Sequence, residues 1–224
     1  MAGRRVRLWD LPVRIVHWSL VLLIPALWWT AEHGQLSVHE RLGFLAMILL
    51  VFRLFWGLAG GSTARFASFV KGPKAVGAYL RTLSAKGGEP VVGHNPVGGW
   101  SVVILLLLLV GVIGTGLFAD DTDALNPGPL NYLIHGDLSE RMGRWHHLLF
   151  NVLLGFIALH LVAIVFYAVV KRENLVGPML TGRRAMAAAA TPPTFAPIWR
   201  AIAGVAIALA LVWWVSQGAH VPHR

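Results

Sequence analysis

His146 and His160 lie in one apolar run, Arg144 to Lys171, with His147 beside the first of them. The run is long enough to span a bilayer, which takes about 20 residues, and ionisable side chains at that depth are costly and mark functional positions. At 3.6 residues per turn, the fourteen residues from His146 to His160 leave the two only about 40° apart around the helix and roughly 21 Å apart along it. Two imidazoles thus face one side, one near each membrane surface. The thirteen residues from His147 to His160 put that pair on nearly opposite faces. Such an arrangement suggests two stacked cofactors, whose remaining ligands must come from elsewhere in the chain.

The composition defines the setting. Hydrophobic residues make up 56% of the chain and charged residues 13%, against about 25% charged in a soluble domain, and the mean hydropathy is +0.65. This is an integral membrane protein. Its net charge of +9 does not indicate nucleic acid, because the basic residues sit in short segments between apolar runs, as topology signals do. There is no cysteine, which excludes disulfides, thiolate-bound iron–sulfur or zinc, and haem attached through Cys-x-x-Cys-His. The first apolar run carries a histidine near its start and no small-residue cleavage site after it, so it is expected to be a span and not a cleavable signal peptide.

Five apolar runs position the histidines. The basic stretch with Arg4, Arg5, Arg7 and Arg14 leads into a first span, Ile15 to Ala31, with His17 one turn inside it and Pro25 as a tolerated kink. A short loop leads to His39 and a second span, Leu42 to Leu58, so these two helices are antiparallel and His39 lies at the opposite membrane face from His17. Arg53 stands fourteen residues from His39, on the same helical face at the far side. The polar segment Gly60 to Gly99 carries Arg65, Lys71, Lys74, Arg81 and Lys86 against Glu89, and its middle predicts an amphipathic surface helix. On the third span, Trp100 to Ala119, Gly111 and Gly114 share a stripe expected to serve close helix packing, with clearance for a cofactor as its alternative use. The loop from Asp120 to Gly143 is acidic, with Asp120, Asp121, Asp123, Asp137 and Glu140. Lys171, Arg172, Arg183 and Arg184 follow the fourth span, then an Ala/Thr/Pro linker and a histidine-free fifth run, Ile198 to Ser216. Residues 1–184 are expected to form the functional domain, and 185–224 a linker and extra span.

Basic segments face the cytoplasm, which places the N-terminus inside and the tail with His220 and His223 outside. Depth then sorts the histidines into two pairs, His17 with His160 toward the cytoplasm and His39 with His146 toward the outside. Haem suits such pairs, because its iron takes axial ligands from opposite faces of the macrocycle and a helical bundle presents them from facing helices. Zinc wants three or four convergent ligands, and no depth offers more than two internal histidines. A proton relay, or helix packing through a histidine, is the competing use of each position. Arg14 and Arg53 are placed to pair with propionates or to snorkel. Gly43, one turn beyond His39, keeps a side chain away from a macrocycle. His94 and Asn95 are expected to cap the third span, and His33 and His135 to be solvated in loops.

Several segments, RIVHW (Arg14 to Trp18), VHERLG (Val38 to Gly43), FRLFWGLAGG (Phe52 to Gly61), GHNPVGG (Gly93 to Gly99) and the pair His146 and His160, resemble the prokaryotic cytochrome b561 family, over about Leu8 to Arg184. That family includes the cytochrome b subunits of nickel–iron hydrogenases. The resemblance implies an all-α membrane protein whose four-helix core holds two b-type haems on His17, His39, His146 and His160. An acidic residue commonly follows the first histidine of span four in that family; here His147 does. The fifth span is an extension that the shortest members lack. The resemblance implies electron transfer between quinone and a redox partner, a hydrogenase, a c-type cytochrome or another dehydrogenase, in the bacterial inner membrane. Membrane lipid surrounds such a protein, and a homodimer is a further partner to expect. A membrane anchor with structural haems and a histidine-based proton-relay transporter are the alternatives.

Overall fold

The computed structural model describes residues 4–83, 93–120, 127–134, 136–186 and 192–218. Lys86, Glu89, Asp121, Asp123, His135, His220 and His223 lie outside the described residues. Among the described residues, five helices are long and apolar enough to cross a membrane: α1 (Leu11–Glu32), α2 (Leu36–Ala59), α5 (Pro96–Phe118), α6 (Gly136–Val169) and α8 (Ile198–Ser216). Three short helices, α3 (Phe66–Phe69), α4 (Pro73–Thr82) and α7 (Val176–Thr181), and a 3-10 turn (Asn131–Leu133) join them. The amphipathic segment of the long basic connection is α4, as its sequence predicts.

The first four spans begin earlier than hydropathy alone places them, and polar caps start two of them, whereas α8 keeps the expected bounds. Asp10 precedes α1 and its Oδ1 accepts the N–H of Val13 at 3.0 Å. Asn95 precedes α5, with Pro96 at the first helical position, and its Oδ1 accepts from the N–H of Gly98 at 2.7 Å. At the start of α6 Asp137 stands in the first turn, where a negative charge suits the helix dipole.

The chain divides into two compact units. One comprises residues 1–15, 54–105 and 156–201, the other residues 16–53, 106–155 and 202–224. The first unit gathers the three basic segments. Strand β1 (Arg4–Arg7) pairs antiparallel with β2 (Arg183–Met186), Arg7 opposite Arg183. Like charges directly opposite are unfavourable. Here Arg184 pairs with Glu173 and the guanidinium of Arg7 lies 4.5 Å from the ring centre of Phe195. The short ribbon was not expected from the sequence, since four arginine-rich residues show no strand alternation. Its pairing requires the N-terminus and the segment after α6 to share one side of the membrane, as four spans between them demand. The Thr63 hydroxyl donates to the Leu8 carbonyl at 2.9 Å, and the Ser62 N–H donates to the Thr194 carbonyl at 2.9 Å, so the connection after α2 joins the same side.

Buried Asp10 also accepts from Trp56 Nε1 at 2.9 Å. Asp10→Ala removes a cap and orphans a buried indole N–H, at a combined cost of about 2–3 kcal/mol. Asp10→Asn keeps one acceptor oxygen, which serves either Val13 N–H or the Trp56 indole but not both, and is expected to lose part of this. Thermal unfolding of the detergent-solubilised protein compares the two.

In the second unit, Val212 and Val215 of α8 bury against Met47 and Leu130, with Phe44, Ile48, Ile113 and Leu117 around them. Gly204 and Ala208 continue the buried stripe of α8, the small-residue edge that lets membrane helices approach. The fifth helix is therefore packed against residues of α2 and α5. Its other faces keep Ile202, Trp213 and Leu209 exposed, as a lipid-facing surface would.

Candidate functional site

The second unit brings together two of the four sequence-selected histidines. His39 stands in the first turn of α2 and His146 ten residues into α6. Their ring centres are 6.1 Å apart, the planes 80° to one another. Each ring is anchored through Nδ1 to a main-chain carbonyl of another helix, His39 to Leu27 of α1 at 2.9 Å and His146 to Val112 of α5 at 2.8 Å. A carbonyl only accepts, so Nδ1 carries the proton in both rings and Nε2 is left with its lone pair outward. That is the tautomer of a metal-ligating imidazole, and the carbonyl contact is the usual orienting partner.

Two imidazoles on opposite sides of one metal ion have ring centres about 6 Å apart, each side contributing a bond of about 2 Å and about 1 Å from nitrogen to ring centre. The observed 6.1 Å suits that arrangement. Among the described residues no three histidine, aspartate or glutamate side chains converge as a metal site, so the donor set offers a metal two axial imidazoles and no closed protein cage. A cavity of about 270 Å³ opens beside both rings, lined among others by Gly43, Met47, His147 and Phe150. At Gly43 a β-carbon would meet nothing within 4 Å, so the open space beside His39 extends over that position. These features fit a flat macrocycle ligated from both faces.

Gly116 admits the His146 ring. A β-carbon there would lie 2.9 Å from both Cε1 and Nδ1 of His146, closer than side-chain carbons pack. The expected glycine stripe divides differently: Gly111 faces Leu149 at 3.0 Å, as helix packing requires, and Gly114 faces nothing within 4 Å. Gly116 escaped the sequence analysis because its stripe differs from that of Gly111 and Gly114.

The other selected residues are placed as follows. His17 is half-buried in the second unit, edge-on to Trp18 at 5.1 Å, and His160 is half-buried in the first. Arg53 is buried. Arg14 donates through Nε to the Met179 carbonyl at 3.1 Å and through Nη2 to that of Leu180, so it secures the end of α7. His147 is exposed and lines the cavity. His33 stacks on Trp29 at 4.3 Å. Asn95 caps α5 as expected; His94 instead packs between the rings of Trp9 and Phe69, 4.7 and 4.5 Å away.

A helical membrane protein with two carbonyl-oriented imidazoles lining one cavity has the attributes of a membrane haem protein. The family model described as prokaryotic cytochrome b561 matches residues 8–182, and the chain belongs to that family. It is similar to a probable Ni/Fe-hydrogenase B-type cytochrome subunit of Rhizobium leguminosarum bv. viciae, 24% identical over 216 residues that cover 80% of this chain and 88% of that one. No solved structure matches. The family is that of membrane b-type cytochromes, helical proteins that bind haem b and transfer electrons.

Proposed function

We propose that this chain carries electrons across the bacterial inner membrane between quinone and a redox partner protein, using two haem b groups. His39 and His146 would ligate one and His17 and His160 the other. The geometry of His39 and His146, two carbonyl-fixed imidazoles with ring centres 6.1 Å apart, supports this most directly. Haem b, when bound, supplies a one-electron iron centre. The chain's own contribution would be to supply two imidazoles to each iron, which would leave no open position for oxygen, with the tautomers of His39 and His146 fixed through the carbonyls of Leu27 and Val112. For His17 and His160 the support is their matched depth and the shared helical face of His146 and His160. Arg53 is the cation assigned to a propionate, with Arg14 beside it in sequence depth. Gly43 keeps the macrocycle edge clear.

The Rhizobium relative is named as a hydrogenase subunit, which supports a hydrogenase as partner; a c-type cytochrome or another dehydrogenase would use the same outer face. The basic segments support a cytoplasmic N-terminus. The family match ends at residue 182, which supports a functional domain over residues 1–184 followed by a linker and added span.

His160→Ala is expected to insert normally in the membrane and keep its partner attached, yet to abolish electron exchange between quinol and that partner. Quinol-driven reduction in membrane vesicles measures this. Full activity in that variant would contradict the two-haem path, and a purified wild type without haem absorbance would favour a proton relay instead.

A further inference from the structure

The carbonyls that hold the two imidazoles are each shared with a threonine three residues further along the same helix. Leu27 O accepts from His39 Nδ1 at 2.9 Å and from Thr30 Oγ1 at 2.9 Å. Val112 O accepts from His146 Nδ1 at 2.8 Å and from Thr115 Oγ1 at 3.0 Å. Each hydroxyl is divided between that oxygen and the carbonyl one residue earlier, Ala26 at 2.9 Å for Thr30 and Gly111 at 2.7 Å for Thr115. Threonines bond back to their own helix elsewhere in the chain, Thr181 to Gly177 for example. Among the described residues, Thr30 and Thr115 are the two whose acceptor also serves a histidine. The same four-part motif of imidazole, carbonyl, hydroxyl and second carbonyl thus occurs once behind each ring, on α1 and on α5.

An oxygen that accepts two hydrogen bonds accepts each less strongly. Donation from Nδ1–H raises the basicity of the ligating nitrogen, and hydrogen bonding behind the axial ligand is one of the protein's means of setting a haem potential. We propose that Thr30 and Thr115 are a matched pair of positioning residues: by sharing the carbonyls of Leu27 and Val112 they limit the hydrogen bonds of His39 and His146, and hold the potential of the haem between those rings higher than the carbonyls alone would. The proposal rests on the reading of His39 and His146 as haem ligands. Thr30 is almost fully buried, so no bulk water replaces its hydroxyl once removed. Valine conserves the branched shape and deletes the donor. The carbonyl then accepts more fully from Nδ1–H, the imidazole becomes a stronger donor to iron, the ferric state gains and the potential falls.

The experiment is an equilibrium redox titration of the purified holoprotein, following both haems optically, with the low-spin electron paramagnetic resonance signals recorded on the same samples. Thr30→Val and Thr115→Val are expected to lower the same one of the two midpoints, and the double variant to lower it further. The g-values of that haem alone should move, and Thr30→Ser and Thr115→Ser should behave as wild type. Unchanged midpoints with haem retained, or equal shifts of both haems, overturn the proposal. If the valine variants shed the haem, loss in Thr→Ala with retention in Thr→Ser supports the hydroxyl's role, and loss in all three overturns it. His39→Ala separates the premises: if it keeps the full haem content the ligand reading fails, whereas a halved content beside silent threonine variants refutes only the present proposal.

Discussion

His146→Ala is expected to strip the purified protein of half its haem, while His147→Ala keeps all of it. The two histidines are neighbours in sequence and both line the cavity, but they differ in burial, anchoring and helical phase. His146 is half-buried, fixed through Nδ1 to Val112 at 2.8 Å, and set 6.1 Å from the ring of His39. His147 is exposed, and it lies on nearly the opposite helical face from His160. Loss even of an orienting partner weakens metal binding roughly 10–100-fold, and loss of the ligand itself should exceed that. His39→Ala should remove the same haem, so that the double variant His39→Ala/His146→Ala is no poorer in haem than either single one. Haem and protein quantified on one sample decide it. A full complement in His146→Ala together with a deficit in His147→Ala would exchange the two assignments.

Gly116→Ala should have the second largest effect for a change so small. The added methyl lies 2.9 Å from Nδ1 and Cε1 of His146, and the ring cannot retreat without lengthening its bond to the Val112 carbonyl. Overpacking of this kind costs about 1–3 kcal/mol, which corresponds to a roughly 5- to 150-fold weaker hold on whatever the ring ligates. Gly116→Val should be worse. Gly114→Ala, two residues away with nothing within 4 Å of its β-carbon, should be silent. Haem retention through purification, compared across the three, separates a local steric effect from a general weakness of α5.

Helical phase lies within one element, so the facing of His146 and His160, the disfavouring of His147 and the antiparallel entry of His39 can all be worked out from residue spacing. Capping likewise stays local, and Asn95 begins α5 as its type suggests. Contacts between helices are another matter. Gly116 matters because of a ring on α6, and Thr30 and Thr115 because carbonyls one turn before them meet imidazoles from other helices; no periodicity in α1 or α5 announces either. The ribbon of β1 and β2 is too short and too rich in arginine to show alternation, and tertiary pairing alone reveals it. His94, grouped with Asn95 as a cap, packs between Trp9 and Phe69 because aromatic neighbours from distant segments surround it.

The dithionite-reduced minus oxidised optical spectrum of the purified protein, with haem and protein quantified on the same sample, tests the central claim most directly. Two low-spin b-type haems per chain are predicted. One haem would mean that one of the two histidine pairs does not ligate iron, and none, in protein produced with ample haem, would contradict electron transfer through these histidines.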